Sequence, residues 1–178
     1  MKKENNVTAV ITTERLILRA AESADITVLY ENVFSDPEVM AQAFYGKTFD
    51  LDEASDFFES NFDFSGTGKK LGVLTLKESG EIIGFSGLLP CNVLDEQDYE
   101  IGFVLGRSHW RKGYATEIGQ AQIKFGFEVL GRRRLLGVVL PDNTGSKAAL
   151  IKSGMQYHAT VDTETRGTRE VYSLNNTN

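Results

Sequence analysis

Two cations, a glycine and an alanine stand where a strand-like run gives way to a helix-like one: Trp110-Arg111-Lys112-Gly113-Tyr114-Ala115-Thr116-Glu117. Residues 99–105 alternate like a strand, and the run that follows, to about Leu130, has helical spacing. The first N–H groups of a helix have no partner inside it, and the macrodipole adds partial positive charge there. Such a junction is an anion site. Gly113 lets the backbone approach a phosphate closely, and Ala115 keeps the next turn small. The expected chemistry is capture of a phosphate-bearing cofactor on the N–H groups of Arg111, Lys112, Gly113, Tyr114, Ala115 and Thr116, the two cations adding charge-assisted contacts. A plain strand–turn–helix with a solvated Arg-Lys pair would share this local sequence, so the rest of the chain has to decide.

The elements that position this loop follow from periodicity. Residues 13–19 alternate, with Leu16 and Leu18 on one side, and predict a strand. Ser23 or Asp25 is a candidate cap for a helix over 24–34, which Asp36-Pro37 breaks. Asp50 caps a second helix over 51–62, anchored by Phe57, Phe58 and Phe62. The loop at 64–70 superficially looks like a nucleotide-binding P-loop. It fails the pattern: no glycine stands five residues before Gly68, and Lys69 is followed by Lys70. It is read as a flexible connector. Residues 71–77 and 81–89 predict a hairpin turning at Ser79-Gly80, and 98–106 a third strand of that group. The long helix spans 113–130 and stops at Gly131. A wholly apolar strand at 134–140, a helix at 144–153, and an antiparallel pair at 155–161 and 168–174 close the chain.

Residues 98–106, the long helix and residues 134–140 form a parallel crossover within an otherwise antiparallel pattern. The expected class is mixed α+β: a mostly antiparallel sheet of six to seven strands flanked by about four helices.

Composition bounds the function. At 178 residues the chain is expected to form one domain over 1–178, with tails at 1–11 and 175–178. No apolar run approaches the roughly 20 residues of a membrane span, and the polar start Met1-Lys2-Lys3-Glu4-Asn5-Asn6 lacks the apolar core of a secretory signal. A single cysteine, Cys91, fits a reducing compartment, so the expected location is cytoplasmic, without membrane association. The net charge of −6 argues against sequence-independent nucleic-acid binding. It mildly favours cationic small substrates, although soluble proteins commonly carry such a charge. His109 and His158 are isolated, no His/Cys/carboxylate spacing suggests a metal site, and no metal is expected.

Four motifs in register carry a resemblance. They are Thr13-Glu14-Arg15-Leu16-Ile17-Leu18-Arg19; Ile82-Ile83-Gly84-Phe85-Ser86-Gly87-Leu88; Tyr99-Glu100-Ile101-Gly102-Phe103 with Trp110 to Glu117; and Asn143-Thr144-Gly145-Ser146 with Lys152-Ser153-Gly154-Met155. Over residues 12–174 the chain resembles the GNAT family of acetyl-coenzyme A-dependent N-acetyltransferases. It looks most like the branch with ribosomal-protein N-terminal and spermidine-type enzymes. Trp110 stands where the wider family often has Arg or Gln, a substitution usual in the branch. Leu150 stands seven positions after Asn143, where the wider family often has a tyrosine general acid, so that role does not carry over.

The resemblance implies a sheet splayed at its central parallel pair, with the pantetheine arm of acetyl-coenzyme A in the gap. It also implies that Phe103, Val104 and Leu105 offer backbone groups to that arm, and that the Asn143 amide contacts it. The co-substrate would be acetyl-coenzyme A. The acceptor would be a primary amine of a small molecule, an amino acid or a protein N-terminus, and the protein a monomer or homodimer. A non-catalytic acyl-coenzyme A sensor on the same fold is the alternative.

An ammonium cannot attack a thioester. Reaching the neutral amine at pH 7 costs about 4.6 kcal/mol for a lysine-like group and about 1 kcal/mol for an α-amine. Glu100 is the candidate to accept that proton, directly or through water. Ser146, one helical turn after Asn143, is the candidate to protonate the leaving thiolate. A covalent route through Cys91 is disfavoured, because no His is near it in sequence. The acidic run Asp50, Asp52, Glu53, Asp56, Glu59 and Asp63 is read as a solvated helix face. Arg132-Arg133-Arg134 lies too far along the long helix to reach its N-terminus and is read as charge complementing the helix C-terminus.

Overall fold

In the computed structural model the chain is described over residues 7–44 and 46–177, so the outermost expected tail residues, 1–6 and 178, lie outside the described part. Eight strands form one sheet: β1 (Ala9–Thr12), β2 (Leu16–Arg19), β3 (Leu71–Leu76), β4 (Ile82–Cys91), β5 (Asp98–Leu105), β6 (Arg134–Val139), β7 (Gln156–Thr163) and β8 (Gly167–Asn175). Their order is β1-β2-β3-β4-β5-β6-β8-β7, antiparallel except for β5 against β6. The mixed α+β class holds, with one strand more than expected.

The extra strand comes from the N-terminus. Residues 13–19 are not one strand: the Thr13 amide donates to Leu16 O (2.9 Å) and the Leu16 amide to Thr13 Oγ1 (3.0 Å), closing a tight turn between β1 and β2. Residues 9–11, expected as tail, therefore pair with β2. At the other end Asn175 pairs opposite Arg134, and the Asn176 amide donates to Arg133 O.

The helical segment after β2 also differs from expectation. α1 (Asp25–Leu29) continues as a π-helix over Tyr30–Phe34, and neither Ser23 nor Asp25 caps it. The Asp25 carboxylate is instead buried in a two-bond pair with the Arg19 guanidinium, both at 2.8 Å. Asp36 caps a further helix, α2 (Pro37–Ala41), by accepting from the Glu38 and Val39 amides, and Pro37 occupies the first turn, where no N–H is needed. α3 (Leu51–Asn61) begins with a reciprocal box: Asp50 accepts from the Glu53 amide and Glu53 from the Asp50 amide.

The helices cover both faces of the sheet. On β3, Val73 packs with the phenylalanine-rich cluster under α1–α3, whereas its neighbour Leu74 packs under α4 (Tyr114–Glu128) with Leu16, Leu18 and Ile118. Adjacent strand residues point to opposite faces, so these are two separate layers. Phe34, Phe49, Phe57, Phe62 and Phe85 stack or meet edge-on with centroids 5.2–6.4 Å apart. That cluster fixes α2 and the segment behind it above the sheet. α5 (Thr144–Lys152) follows β6.

The centre of the sheet opens. β5 pairs with β4 along its whole length, from Asp98 opposite Cys91 to Leu105 opposite Gly84, and β6 pairs fully with β8. Between β5 and β6 only Glu100 and Leu136 are in register. Each strand is held on its outer side, so beyond Glu100 the two inner edges part.

Gly84 is essential to that arrangement. A Cβ there would fall on the Val104 carbonyl oxygen and lie 3.0 Å from Leu105 Cα. Gly84→Ala should destabilise the protein by about 3 kcal/mol or more. At ~2–4 °C per kcal/mol for a chain of this size, thermal denaturation should show a melting temperature lower by at least about 6 °C. An unchanged value would mean that β4 and β5 do not approach this closely.

Candidate active site

The turn before α4 is strained in a way that aims its amides. Arg111 has φ 60° and Gly113 φ 81°, so two of three consecutive residues are left-handed. For a non-glycine such as Arg111 this conformation costs on the order of 1 kcal/mol. Such alternation turns successive N–H groups toward one point, a concavity suited to an anion. No side chain caps α4, and Gly113 is solvent-exposed. The opening amides of the longest helix are therefore uncovered. α5 differs, since Asn143 Oδ1 accepts from the Ser146 amide at 3.0 Å and closes that tip.

The turn is braced from the first hairpin. Glu117 accepts from the Thr13 hydroxyl (2.6 Å), the Arg15 amide (2.9 Å) and Arg15 Nε (2.7 Å). Arg15 Nη1 also donates to Lys112 O (2.9 Å), and its guanidinium lies 4.6 Å from the Tyr114 ring centroid. Trp110 ties the other end, its indole N–H donating to Leu105 O at 2.8 Å. Arg15 and Trp110 thus hold the loop. The sequence placed Arg15 only within the strand-like motif at 13–19, and nothing in its spacing pointed to a partner 102 residues away.

The parted strands continue into a cleft of about 790 Å3. Phe103, Val104 and Leu105 line one side, Arg111, Gly113, Tyr114, Ala115 and Thr116 the head, and Asn143 and Ser146 the other side. Lys112 does not line it and points into solvent, with its carbonyl on Arg15. Lys152 does line it, as does His109, whose Nε2 lies 3.1 Å from Glu81 Oε1. The Leu105 carbonyl is occupied by Trp110 and the Val104 carbonyl points at Gly84 of β4, which leaves the backbone of Phe103 on the open edge.

A smaller recess of about 90 Å3 adjoins the cleft, sharing Gln42, Phe103, Val104, Asn143 and Ser146 as walls. It contains Glu100, Leu150, Arg166 and Arg169. Glu100 is held by two bonds from the Arg166 guanidinium, at 2.9 and 3.0 Å. Ser146 sits at the junction of the two spaces, and among the described residues its hydroxyl has no hydrogen-bond partner. The segment after α2 roofs the junction: Asn143 Nδ2 donates to Gln42 O (3.2 Å) and Arg169 Nη2 to Phe44 O (2.9 Å). Phe44, at φ 47°, is wedged 4.8 Å from the Phe57 ring. Arg166, Arg169 and Gln42 carried no sequence signal of a site, because a hairpin tip and a helix end become neighbours only through the tertiary fold.

Other sequence expectations resolve differently. Burial pushes the Cys91 thiol up to about 11, leaving it protonated and inert at neutral pH. Arg134 pairs with Asp98 (2.6 Å) and Glu96 (3.1 Å), and Arg132 stacks 3.5 Å from the Tyr99 ring centroid, so these two side chains brace the start of β5, while the Arg132 amide closes the end of α4 on Gly126 O (2.9 Å). Asp63 is buried, not solvated: it accepts from the Ser65, Gly66 and Gly68 amides and orders the loop read as a flexible connector. Among the described residues no group of three or more His, Cys, Asp or Glu is placed to hold a metal ion, and no helix is long and apolar enough to cross a membrane.

Known proteins share this architecture. A family model described as an acetyltransferase (GNAT) domain matches residues 15–156. An uncharacterized N-acetyltransferase of Bacillus licheniformis, p20, is 38% identical over 138 residues, spanning 75% of this chain and 75% of that protein. The crystal structure of a GNAT-family acetyltransferase from Bacillus anthracis superposes with a TM-score of 0.78 at 26% identity, covering 93% of this chain and 97% of that one. Spermidine N-acetyltransferase from Vibrio cholerae, solved in complex with CoA and spermine, superposes with a TM-score of 0.73 over 92% of this chain and 96% of that one. Its 15% identity makes that a likeness of fold.

The brace on the turn has a pH signature. Burial raises the Glu117 carboxyl, but the Thr13 hydroxyl, the Arg15 amide and the Arg15 guanidinium together outweigh it and hold it below the ordinary carboxylate value. A carboxyl depressed in the folded state stabilises fully above its unfolded value of about 4.3, and that stability is lost as pH falls through the folded value. Glu117→Gln should therefore melt earlier than wild type at pH 7, with the gap closing below about pH 4. A gap that stays constant in a pH series of melting curves would deny the ionised carboxylate any role.

Proposed function

This chain belongs to the GNAT acetyltransferase family, and we propose that it transfers the acetyl group of acetyl-coenzyme A directly to a primary amine. The observation that carries the reading is the continuous path from an uncapped helix tip, along an unpaired strand edge, to a recess holding a carboxylate. Each part suits one portion of the co-substrate. The amides of Arg111 to Thr116 would take the diphosphate, and the exposed Lys112 would add only long-range charge. Phe103 would hydrogen-bond the pantetheine arm as a neighbouring strand would, while Val104, whose carbonyl faces β4, would line its path. Asn143, whose amide already caps α5 and reaches Gln42, would shape the opposite wall. When bound, acetyl-coenzyme A supplies a thioester activated toward amine attack.

The chain's own residues would do the rest. Arg166 occupies one lone pair on each Glu100 oxygen, so an incoming proton has to arrive on the remaining ones, through water or from an amine in the recess. Backbone N–H groups on the open edge of β5 would stabilise the oxyanion. The Ser146 hydroxyl, unengaged at the junction, would donate to the departing thiolate, the role that Leu150 cannot fill. A second-substrate recess opening onto the cleft favours transfer over a non-catalytic acyl-coenzyme A sensor.

Two experiments test this. Acetyl-coenzyme A at 100 times its dissociation constant should stabilise the protein by about 2.7 kcal/mol, roughly 5–10 °C in melting temperature. Gly113→Val, which crowds the Arg15 guanidinium and strains a left-handed residue, should erase that shift. No shift in the unaltered protein at millimolar ligand would remove the co-substrate from the reading. Glu100→Gln should lower turnover about 100-fold at pH 7, with the deficit shrinking as pH nears the acceptor's own pKa, while acetyl-coenzyme A still raises the melting temperature. An unaltered pH–rate profile would reject Glu100 as proton acceptor.

A further inference from the structure

The recess beside Glu100 carries more positive than negative charge. Its charged walls are Glu100, Arg166 and Arg169, one carboxylate against two guanidinium groups. Arg166 spends its charge on Glu100 in a bidentate pair. Arg169 is 5% exposed, and it donates to two neutral acceptors, Thr168 O and Phe44 O, both at 2.9 Å. Among the described residues it has no ion-pair partner. Burying a charge without a counter-ion is costly, and the usual remedies are a partner or a shift in protonation. A guanidinium cannot take the second course near neutral pH. Burial and the nearby Arg166 do pull Arg169 below its ordinary value, against the opposing pull of Glu100.

Two acidic neighbours could have relieved this charge but are committed elsewhere. Glu170, next in sequence, points to the other face of β8, where it accepts from Lys147 Nζ and the Tyr172 hydroxyl. Asp162, on the adjacent strand, accepts from the Thr168 hydroxyl. Phe44, Val138, Val139 and Leu150 are apolar walls that lend the charge no hydration, and the polar walls Gln42, Asn143 and Ser146 carry no charge to balance it. The space is small, and its mouth is the junction where Ser146 and Val104 stand.

Resting on the acetyl-transfer reading, we propose that the acceptor is a small amine that also bears a carboxylate, such as a free amino acid, whose carboxylate seats on Arg169. The ligand carboxylate supplies the counter-ion that the protein omits, and its amine then faces Glu100 and the junction. A polyamine, cationic at every nitrogen, brings charge of the wrong sign into this space. The overall charge of −6 does not oppose the assignment, because the acidic residues of α3 lie outside the recess walls, and it is the local field in a low-dielectric pocket that selects the ligand.

The test is calorimetric titration of the protein saturated with coenzyme A. The probes are amino acids, each paired with its primary amide and its decarboxylated amine, together with spermidine. At least one amino acid should bind at least tenfold more tightly than its amide and its decarboxylated amine, and spermidine should bind no better than those two. Arg169→Gln should abolish the preference, and Arg169→Lys should keep part of it. Because Arg169 also holds the roof, Arg166→Gln serves as a second variant, and the comparison of paired ligands on the unaltered protein needs no variant. Equal binding of amide and acid, tighter binding of spermidine, or no binding by any amino acid would overturn the proposal. Failure of coenzyme A itself to bind would instead overturn the acetyl-transfer reading.

Discussion

One missing set of hydrogen bonds governs this structure. β5 and β6 lie parallel at the centre of the sheet yet stand in register at only Glu100 and Leu136. A sheet interior normally satisfies its backbone groups by strand pairing, and groups left unpaired need water or a ligand. Here the outer ladders, β4 on one side and β8 on the other, are complete and pull the two strands apart. The gap lies at the carboxyl ends of two parallel strands, where the following helices also begin. An open strand edge and the start of the longest helix are thereby brought to one place, and in open sheets that is where ligands bind.

The gap is useful only if its margins are stiff. Three distant parts of the chain provide this. The β1–β2 turn grips Glu117 and the Lys112 carbonyl through Thr13 and Arg15. Trp110 fastens the loop back to the end of β5. The phenylalanine cluster sets the segment after α2 over the junction, and Asn143 and Arg169 fasten it there. The left-handed Arg111 is tolerated because both ends of its turn are tied. Strain of this kind keeps the amides aimed before any anion arrives, which lowers the ordering cost of binding.

Charge is distributed on two scales. The surface is acidic overall, with α3 contributing exposed carboxylates, while the recess between the strands is locally basic. Other arginines are neutralised by the fold: Arg15 by Glu117, Arg19 by Asp25, Arg107 by Asp36 and Glu38, Arg134 by Asp98 and Glu96, and Arg166 by Glu100. Against that background the unmatched guanidinium in the recess stands out as a feature of the second-substrate space, and Ser146 is the group common to both spaces.

Local patterns were legible without coordinates wherever chemistry is local. Glycine and helical period marked the turn at Gly113 and the helix after it, the Asp50 cap announced α3, and the alternation of 98–106 gave β5. Where neighbouring residues could satisfy the same backbone in two ways, local pattern failed. Residues 13–19 read as a strand, but the Thr13 side chain closes a turn, and a strand pair costs less than a solvated tail once β2 is beside it. Residues 24–34 read as one helix, but the last turn widens into a π-helix. What only the tertiary structure decided was who meets whom. Arg15 reaches Glu117, Arg166 claims Glu100, and Arg169 is buried against Phe44, because pairing across long sequence separations is set by the order of strands in the sheet. A residue's type and spacing limit the bonds it can make; the packed sheet selects which of them it does.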